Sequence, residues 1–231
     1  MKPINCFIHH HLGLGDHIIC NGIVRYVAKN YGFENIALVV KKSNLNNVTR
    51  MFSDLPQVSF FIVDEDREFV EEYNSRLKSI PLLRVGFEKC RNADFDKSFY
   101  DSANVPFKER WDSWNFERDY EQEAKIIEEL GVNGDYIFVH DTSSVGKYDL
   151  KIESKLPQVK PKKLDCEKSM FDWIGVMEKA KEIHCIDSSF MHIVDSYRFK
   201  NDKYYHTIKT TVLRNGIGFS LQNDWKTVNY G

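Results

Sequence analysis

The chain has 231 residues, 42% hydrophobic and 29% charged, with a formal net charge of −2. That length allows one large domain or two compact ones, and sixteen Phe and eleven Tyr provide for a substantial core. The near-neutral charge gives no basis for nucleic-acid or anionic-membrane binding. No apolar run approaches the roughly 18 residues of a membrane span, and the apolar stretch after Met1 is too short for a signal peptide. Peripheral association with a membrane stays open. The five cysteines (Cys6, Cys20, Cys90, Cys166, Cys185) have no CxxC spacing and mostly sit in apolar runs. They point to reduced, buried thiols in a cytoplasmic protein, not to a disulfide framework or a zinc site.

In chain order, Ile4–Ile8 reads as a strand, Asp16–Tyr31 as a helix and Ile36–Val40 as a strand. Leu45–Phe52 follows as a helix, Val58–Val63 as a strand, Glu65–Lys78 as a helix and Leu82–Val85 as a fourth strand. Such alternation predicts a parallel sheet covered on both faces. The polar-aromatic segment Asp94–Trp114 reads as short helices near an interdomain cleft. Tyr120–Leu130 is a helix stopped by Gly131. A second α/β series then begins: strand Tyr136–His140, polar loop Asp141–Tyr148, helix Ser169–Lys181, strand Ile183–Ile186, helix Ser188–Tyr197 and strand Tyr204–Val212. The pattern predicts two α/β halves, 1–117 and 118–231.

Three turns carry candidate chemistry. The first, Gly13-Leu14-Gly15-Asp16-His17, links the first strand to the first helix. Glycines there let backbone approach a ligand, and a carboxylate is better placed to accept a proton than to meet a phosphate. A dinucleotide fingerprint fails twice. Its third small residue is Ile18, and Lys41 and Lys42 stand where an acidic ribose ligand belongs. A plainer reading makes Asp16 a helix cap. The second turn, Asp187-Ser188-Ser189-Phe190-Met191-His192, ends a buried strand with two hydroxyls at a helix start, a site for phosphate oxygens. Asp187 would hold the loop or meet a ribose, and His192 lies one turn further along; again a simple helix cap competes. The third, His140 to Lys147, offers Ser143, Ser144, Gly146 and Lys147 to a diphosphate, against a plain solvated loop.

These turns together resemble a GT-B glycosyltransferase of the heptosyltransferase-like class. Gly13, Gly15 and Asp16 match its GxGD turn. Asp187, Ser188 and His192 match its C-domain motif, with Ser189 in place of the usual glycine. The resemblance covers most of the chain, which is shorter than typical members. It implies two Rossmann-like parallel-sheet lobes in a GT-B arrangement. The N-terminal lobe takes the acceptor and the C-terminal lobe a nucleotide-diphosphate sugar. Asp16 is then the base that deprotonates an acceptor hydroxyl. Ser143, Ser144, Lys147, Asp187, Ser188, Ser189 and His192 hold the donor, and Gly13, Gly15, His17 and Arg110 line the acceptor cleft. The acceptor would be a glycan or glycolipid, with no metal and no cofactor.

Metal-dependent alternatives rest on the DxD pairs Asp64/Asp66 and Asp94/Asp96. His9, His10 and His11 are adjacent on a strand end, so they point alternately and form no closed metal site. His184, inside an apolar strand, reads as a core histidine. Rival functions are a non-catalytic nucleotide- or glycan-binding module, or a nucleotide-sugar epimerase or hydrolase of the same fold.

Overall fold

The computed structural model describes residues 3–88, 90–143, 146–161, 169–208, 216–222 and 224–230. Two units are distinguished, Met1–Glu117 and Arg118–Gly231.

Unit 1 is built on four parallel strands: β1 (Cys6–His9), β2 (Ile36–Lys41), β3 (Val58–Val63) and β4 (Leu82–Arg84), in the order β3-β2-β1-β4. Phe7 of β1 sits opposite Ala37 of β2 on one side and Leu82 of β4 on the other. The inner strands β1 and β2 are buried along nearly their whole length, as their unbroken apolar runs require. Phe7, Leu12, Ala37, Val39, Val63 and Phe69 form the core on one face. The helices are α1 (Leu14–Ile19), α2 (Asn21–Asn30), α3 (Leu45–Met51), α4 (Asp66–Glu72, continued by a wider turn over Tyr73–Leu77), α5 (Phe95–Ala103) and α6 (Glu109–Asp112).

The single helix expected over Asp16–Tyr31 is interrupted at Cys20. There the Tyr100 hydroxyl donates to the Ile19 carbonyl at 2.8 Å, and a polar side chain inserted into a helix ladder bends it. Directly beyond the break, α2 presses on α6 at Gly22, where a β-carbon would stand 2.1 Å from the Glu109 carbonyl oxygen. Only glycine permits that approach.

Unit 2 carries a five-stranded parallel sheet made of β5 (Ile137–His140), β8 (Gln158–Val159), β9 (Glu182–Cys185), β10 (Asp202–Thr207) and β11 (Trp225–Asn229), in the order β11-β10-β9-β5-β8. The loop expected over Asp141–Tyr148 contains a small antiparallel hairpin, β6 (Thr142–Ser143) with β7 (Gly146–Lys147). The helices are α7 (Tyr120–Leu130), α8 (Ile174–Lys179) and α9 (Ser189–Tyr197). Gly131 caps α7 with φ 59°, the left-handed conformation that stops a helix. The helix expected from Ser169 starts as a tight 3-10 turn, Met170–Trp173, under a capping box made by Ser169 and Asp172. The expected strand Tyr204–Val212 is described only as far as Thr207, and its last residues lie outside the described segments.

His184 is a buried core histidine. Its Nε2 meets Glu182 at 2.9 Å and its Nδ1 meets His206 Nε2 at 3.0 Å. His206 Nδ1 in turn meets the Tyr230 hydroxyl at 2.7 Å. This hydrogen-bonded row crosses from β9 to β10 and to the residue after β11. The cysteines other than Cys166, which lies outside the described residues, are free thiols. Among the described residues no helix is long and apolar enough to cross a membrane.

Candidate functional site

In open parallel sheets, ligands bind beyond the carboxyl ends of the strands, where the strand order reverses. Each unit has one such point. In unit 1 it lies between β1 and β4, and in unit 2 between β5 and β9.

At the unit 1 point, β1 runs through His10, His11 and Leu12 into Gly13, the N-cap of α1. Gly13 has φ −68°, so its need for glycine is one of space and not of backbone conformation. A β-carbon there would stand 2.6 Å from Asp16 Oδ2. The Asp16 carboxylate therefore folds back over Gly13 from the first turn of α1, part-exposed at the sheet edge. Asp16 is not the N-cap, since Gly13 holds that place and provides no side-chain cap. Beside this turn opens a cleft of about 390 Å³, lined by His11, Leu12, Gly13, Lys41, Asn44, Asp66 and Phe87.

Two residues expected in the acceptor cleft lie in the interior instead. Arg110 has no exposed surface and is ion-paired with the equally buried Asp96. His17 is buried with its ring 4.3 Å from that of His10, and neither of its nitrogens has a partner. Arg110 turns inward from α6 to Asp96 of α5, and His17 turns inward from α1 onto His10. Gly15 lies within α1 and is part-exposed. Burial pushes the His10 ring down to about 4 and the His17 ring well below its usual range, so both are neutral at pH 7.

At the unit 2 point, β5 ends in His140 and β9 leads through Ile186 and Asp187 to Ser188. His140 Nδ1 lies 2.9 Å from Ser188 Oγ, bridging the two strand ends. Ser188 is the N-cap of α9, and its hydroxyl oxygen accepts from the Met191 amide at 3.5 Å. Ser189 opens the helix, part-exposed. His140 is held down to about 4 by burial, so it meets Ser188 as a neutral ring. Asp187 and His192 are buried, the latter with its ring 4.7 Å from Phe219. Ser143 and Lys147 belong to the small hairpin, with Lys147 exposed, and Ser144 lies outside the described residues. Lys160 follows β8 and pairs with Asp141, the residue after β5, at 2.6 Å.

Lys160 carries no motif in the sequence, and His140 enters it only as the start of the third turn. The one clue to Lys160 is its place between Pro157 and Pro161 in an otherwise short extended run. Likewise Lys41, Asn44, Asp66 and Phe87 meet only because the sheet aligns the ends of β1 to β4. Neither DxD pair has both carboxylates at liberty. Asp66 is bound by His9, Asp94 by Arg91 at 2.7 Å, and Asp96 by Arg110. Among the described residues no group of three His, Cys, Asp or Glu side chains is placed to hold a metal ion.

The heptosyltransferase II structure from E. coli, an ADP-heptose LPS enzyme, superposes with a TM-score of 0.55 at 9% identity, over 97% of this chain and 90% of that one. A family 9 glycosyl transferase from Veillonella parvula superposes with a TM-score of 0.56 at 12% identity, over 98% of this chain and 86% of the other. The chain has a heptosyltransferase-like glycosyltransferase fold. No family model and no curated protein matches it in sequence. At such identities the likeness is one of fold, and it extends through both Rossmann-like units of the chain. What the two strand-end sites do chemically follows from their own residues.

For α9, Ser188→Ala combined with Ser189→Ala is expected to weaken nucleoside diphosphate binding while the chain stays folded. The Ser189 hydroxyl and the helix-start amides that the Ser188 cap orders would otherwise meet phosphate oxygens. Loss of the Ser188 cap costs about 0.5–2 kcal/mol of stability, so a melting curve accompanies the titration. Unchanged affinity in the folded double variant removes both serines from the site.

Proposed function

We propose that the protein transfers a sugar from a nucleotide-diphosphate sugar to a hydroxyl of a glycan or glycolipid acceptor. The observation that carries this reading is the Asp16 carboxylate, folded over Gly13 at the strand-order reversal of unit 1. A carboxylate at that position suits proton abstraction and repels a phosphate.

In the proposed reaction, unit 1 receives the acceptor. Asp16 takes the hydroxyl proton as the acceptor oxygen forms a bond to the anomeric carbon. The bond from that carbon to the phosphate oxygen breaks, and the nucleoside diphosphate leaves with the electron pair. In unit 2, Ser188, Ser189, the amides that open α9 and Lys147 stabilise the growing negative charge. Lys160, paired with Asp141 after β5, adds a cation at the same carboxyl end of the unit 2 sheet. Fixed dipoles and cations do the work for which other transferases recruit a divalent ion.

The test is a panel of nucleotide sugars, screened first for thermal stabilisation and then for transfer. A ligand at about 100 times its dissociation constant stabilises by roughly 2.7 kcal/mol. Transfer by the best donor is expected to continue in excess EDTA. Complete loss, restored by manganese or magnesium, would refute the metal-free mechanism and return attention to Asp64 and Asp66.

A further inference from the structure

The cleft of unit 1 contains more chemistry than a base alone needs. Asp66 lines it, with its side chain 43% exposed, yet one of its oxygens is fixed from behind. His9, whose side chain is 1% exposed, reaches Asp66 Oδ1 through Nε2 at 2.6 Å. Burial lowers the His9 pKa, which favours the neutral ring that donates from Nε2 to Asp66. Asp66 Oδ2 has no partner among the described residues and is free for a ligand.

Two further groups complete the wall. Asn44 donates from Nδ2 to the Leu12 carbonyl at 2.8 Å, which fixes the amide and leaves its carbonyl oxygen open as an acceptor. Lys41, the last residue of β2, pairs with Glu65 at 3.1 Å through one of its three N–H bonds. Leu12 and Phe87 form the apolar part. The cleft thus presents two fixed acceptors, one cationic donor and an apolar strip within about 390 Å³, a volume suited to a small molecule.

That set discriminates among ligands. A phosphate would face Asp66 and Glu65 and is disfavoured. A wholly apolar ligand would strand Asp66 and Lys41 without water or partners, at a cost. A polyol fits, because neighbouring hydroxyls can donate to Asp66 and Asn44 while accepting from Lys41. We propose that this cleft is a sugar-binding subsite for the acceptor, in which Asp66, aligned by His9, and Lys41 fix the hydroxyls of an uncharged pyranose ring. The inference rests on the acceptor-binding role given to unit 1 above, and Asp66 acts in it as a positioning residue.

The test titrates the full-length, isotope-labelled protein with the methyl pyranosides of glucose, galactose, mannose and a heptose. The backbone amide signals of Gly13, Asn44 and Phe87 are followed. At least one glycoside is expected to give saturable shifts at these positions. Asp66→Asn and Lys41→Met should each weaken that binding at least about tenfold, the range of a charge-assisted hydrogen bond. Asn keeps an oxygen for His9, so Asp66→Asn preserves the wall while removing its charge. The lysine variant gives an independent arm should the first fail to fold. No saturable shift with any of the four glycosides, or unaltered affinity in both variants, overturns the subsite. A nucleoside diphosphate is titrated into the same samples. If it binds and no glycoside does, the subsite fails and the transferase reading stands. If a glycoside binds here and no nucleoside diphosphate binds, the transferase reading fails and the cleft stands as a sugar site without an acceptor role.

Discussion

Asp16→Asn is expected to lower sugar transfer by about 10²–10⁴-fold, the usual contribution of a general base, and to leave nucleotide binding close to wild type. The amide has nearly the same shape as the carboxylate but cannot take a proton. The fold should survive, because the N-cap of α1 is Gly13 and not Asp16. Gly13→Ala provides a second route to the same conclusion. Its new methyl group would meet Asp16 Oδ2 at 2.6 Å, so the carboxylate must swing aside while the backbone, at φ −68°, is undisturbed. Transfer should fall in both variants with little change in melting temperature. If Asp16→Asn transfers sugar at a near wild-type rate, its carboxylate is not the base. If the same variant loses nucleotide binding as well, the proposed division of labour, acceptor to unit 1 and donor to unit 2, is wrong.

Much of this architecture is legible in the amino-acid sequence, for physical reasons. Strand β3 spans Val58–Val63 and helix α7 spans Tyr120–Leu130, as their apolar periods and the stop at Gly131 indicate. Buried parallel strands show themselves as apolar runs, and β1, β2 and β5 follow that rule, while β9 carries Glu182 and His184 between its apolar residues. The elements that escape are the ones whose reason lies elsewhere in the chain. Strand β8 has only two residues, too few for any period. Strand β11 is a sheet edge with Lys226, Thr227 and Asn229 exposed, so its apolar signal is weak. The break at Cys20 depends on Tyr100, eighty residues away, and no local propensity announces it.

The candidate sites divide along the same line. Turn residues are visible because glycine and hydroxyl side chains at strand ends are unusual locally. Asp66, Asn44 and Lys41 are ordinary surface residues in one dimension. Lys41 reads in the sequence as an argument against a dinucleotide, and only the pairing of β1 with β2 brings it to the cleft beside Leu12 and Gly13. Arg110 and His17 fail in the opposite sense, since a polar side chain is no guide to exposure once a partner or an aromatic neighbour encloses it.

The buried and half-buried histidines make acid the strongest expected threat to the fold. His9, His10, His11 and His17 in unit 1, and His140, His184 and His206 in unit 2, all have pKa values lowered from 6.5 by burial. As pH falls below 6.5, the unfolded chain takes up protons that the folded chain excludes. Stability is therefore full above pH 6.5 and declines as pH falls toward the folded values. For His10, with a folded value of about 4, the loss is on the order of 3 kcal/mol by pH 4. Several such groups together exceed what most domains can lose. Urea midpoints measured from pH 7.5 to 5 should drop steeply, and a flat profile would contradict the burial account. His17→Leu isolates one member of the set. Both nitrogens of His17 are buried without partners, so replacing the ring with an apolar side chain of similar size should be neutral or stabilising at pH 7.5. Below pH 6.5 the variant should lose stability less steeply, by about 1.4 kcal/mol per pH unit, because one fewer proton is taken up on unfolding. A loss of several kcal/mol at pH 7.5 would mean that the His17 nitrogens are bonded in the folded protein, and the ring would then be a working part of the GxGD turn instead of packing beneath it.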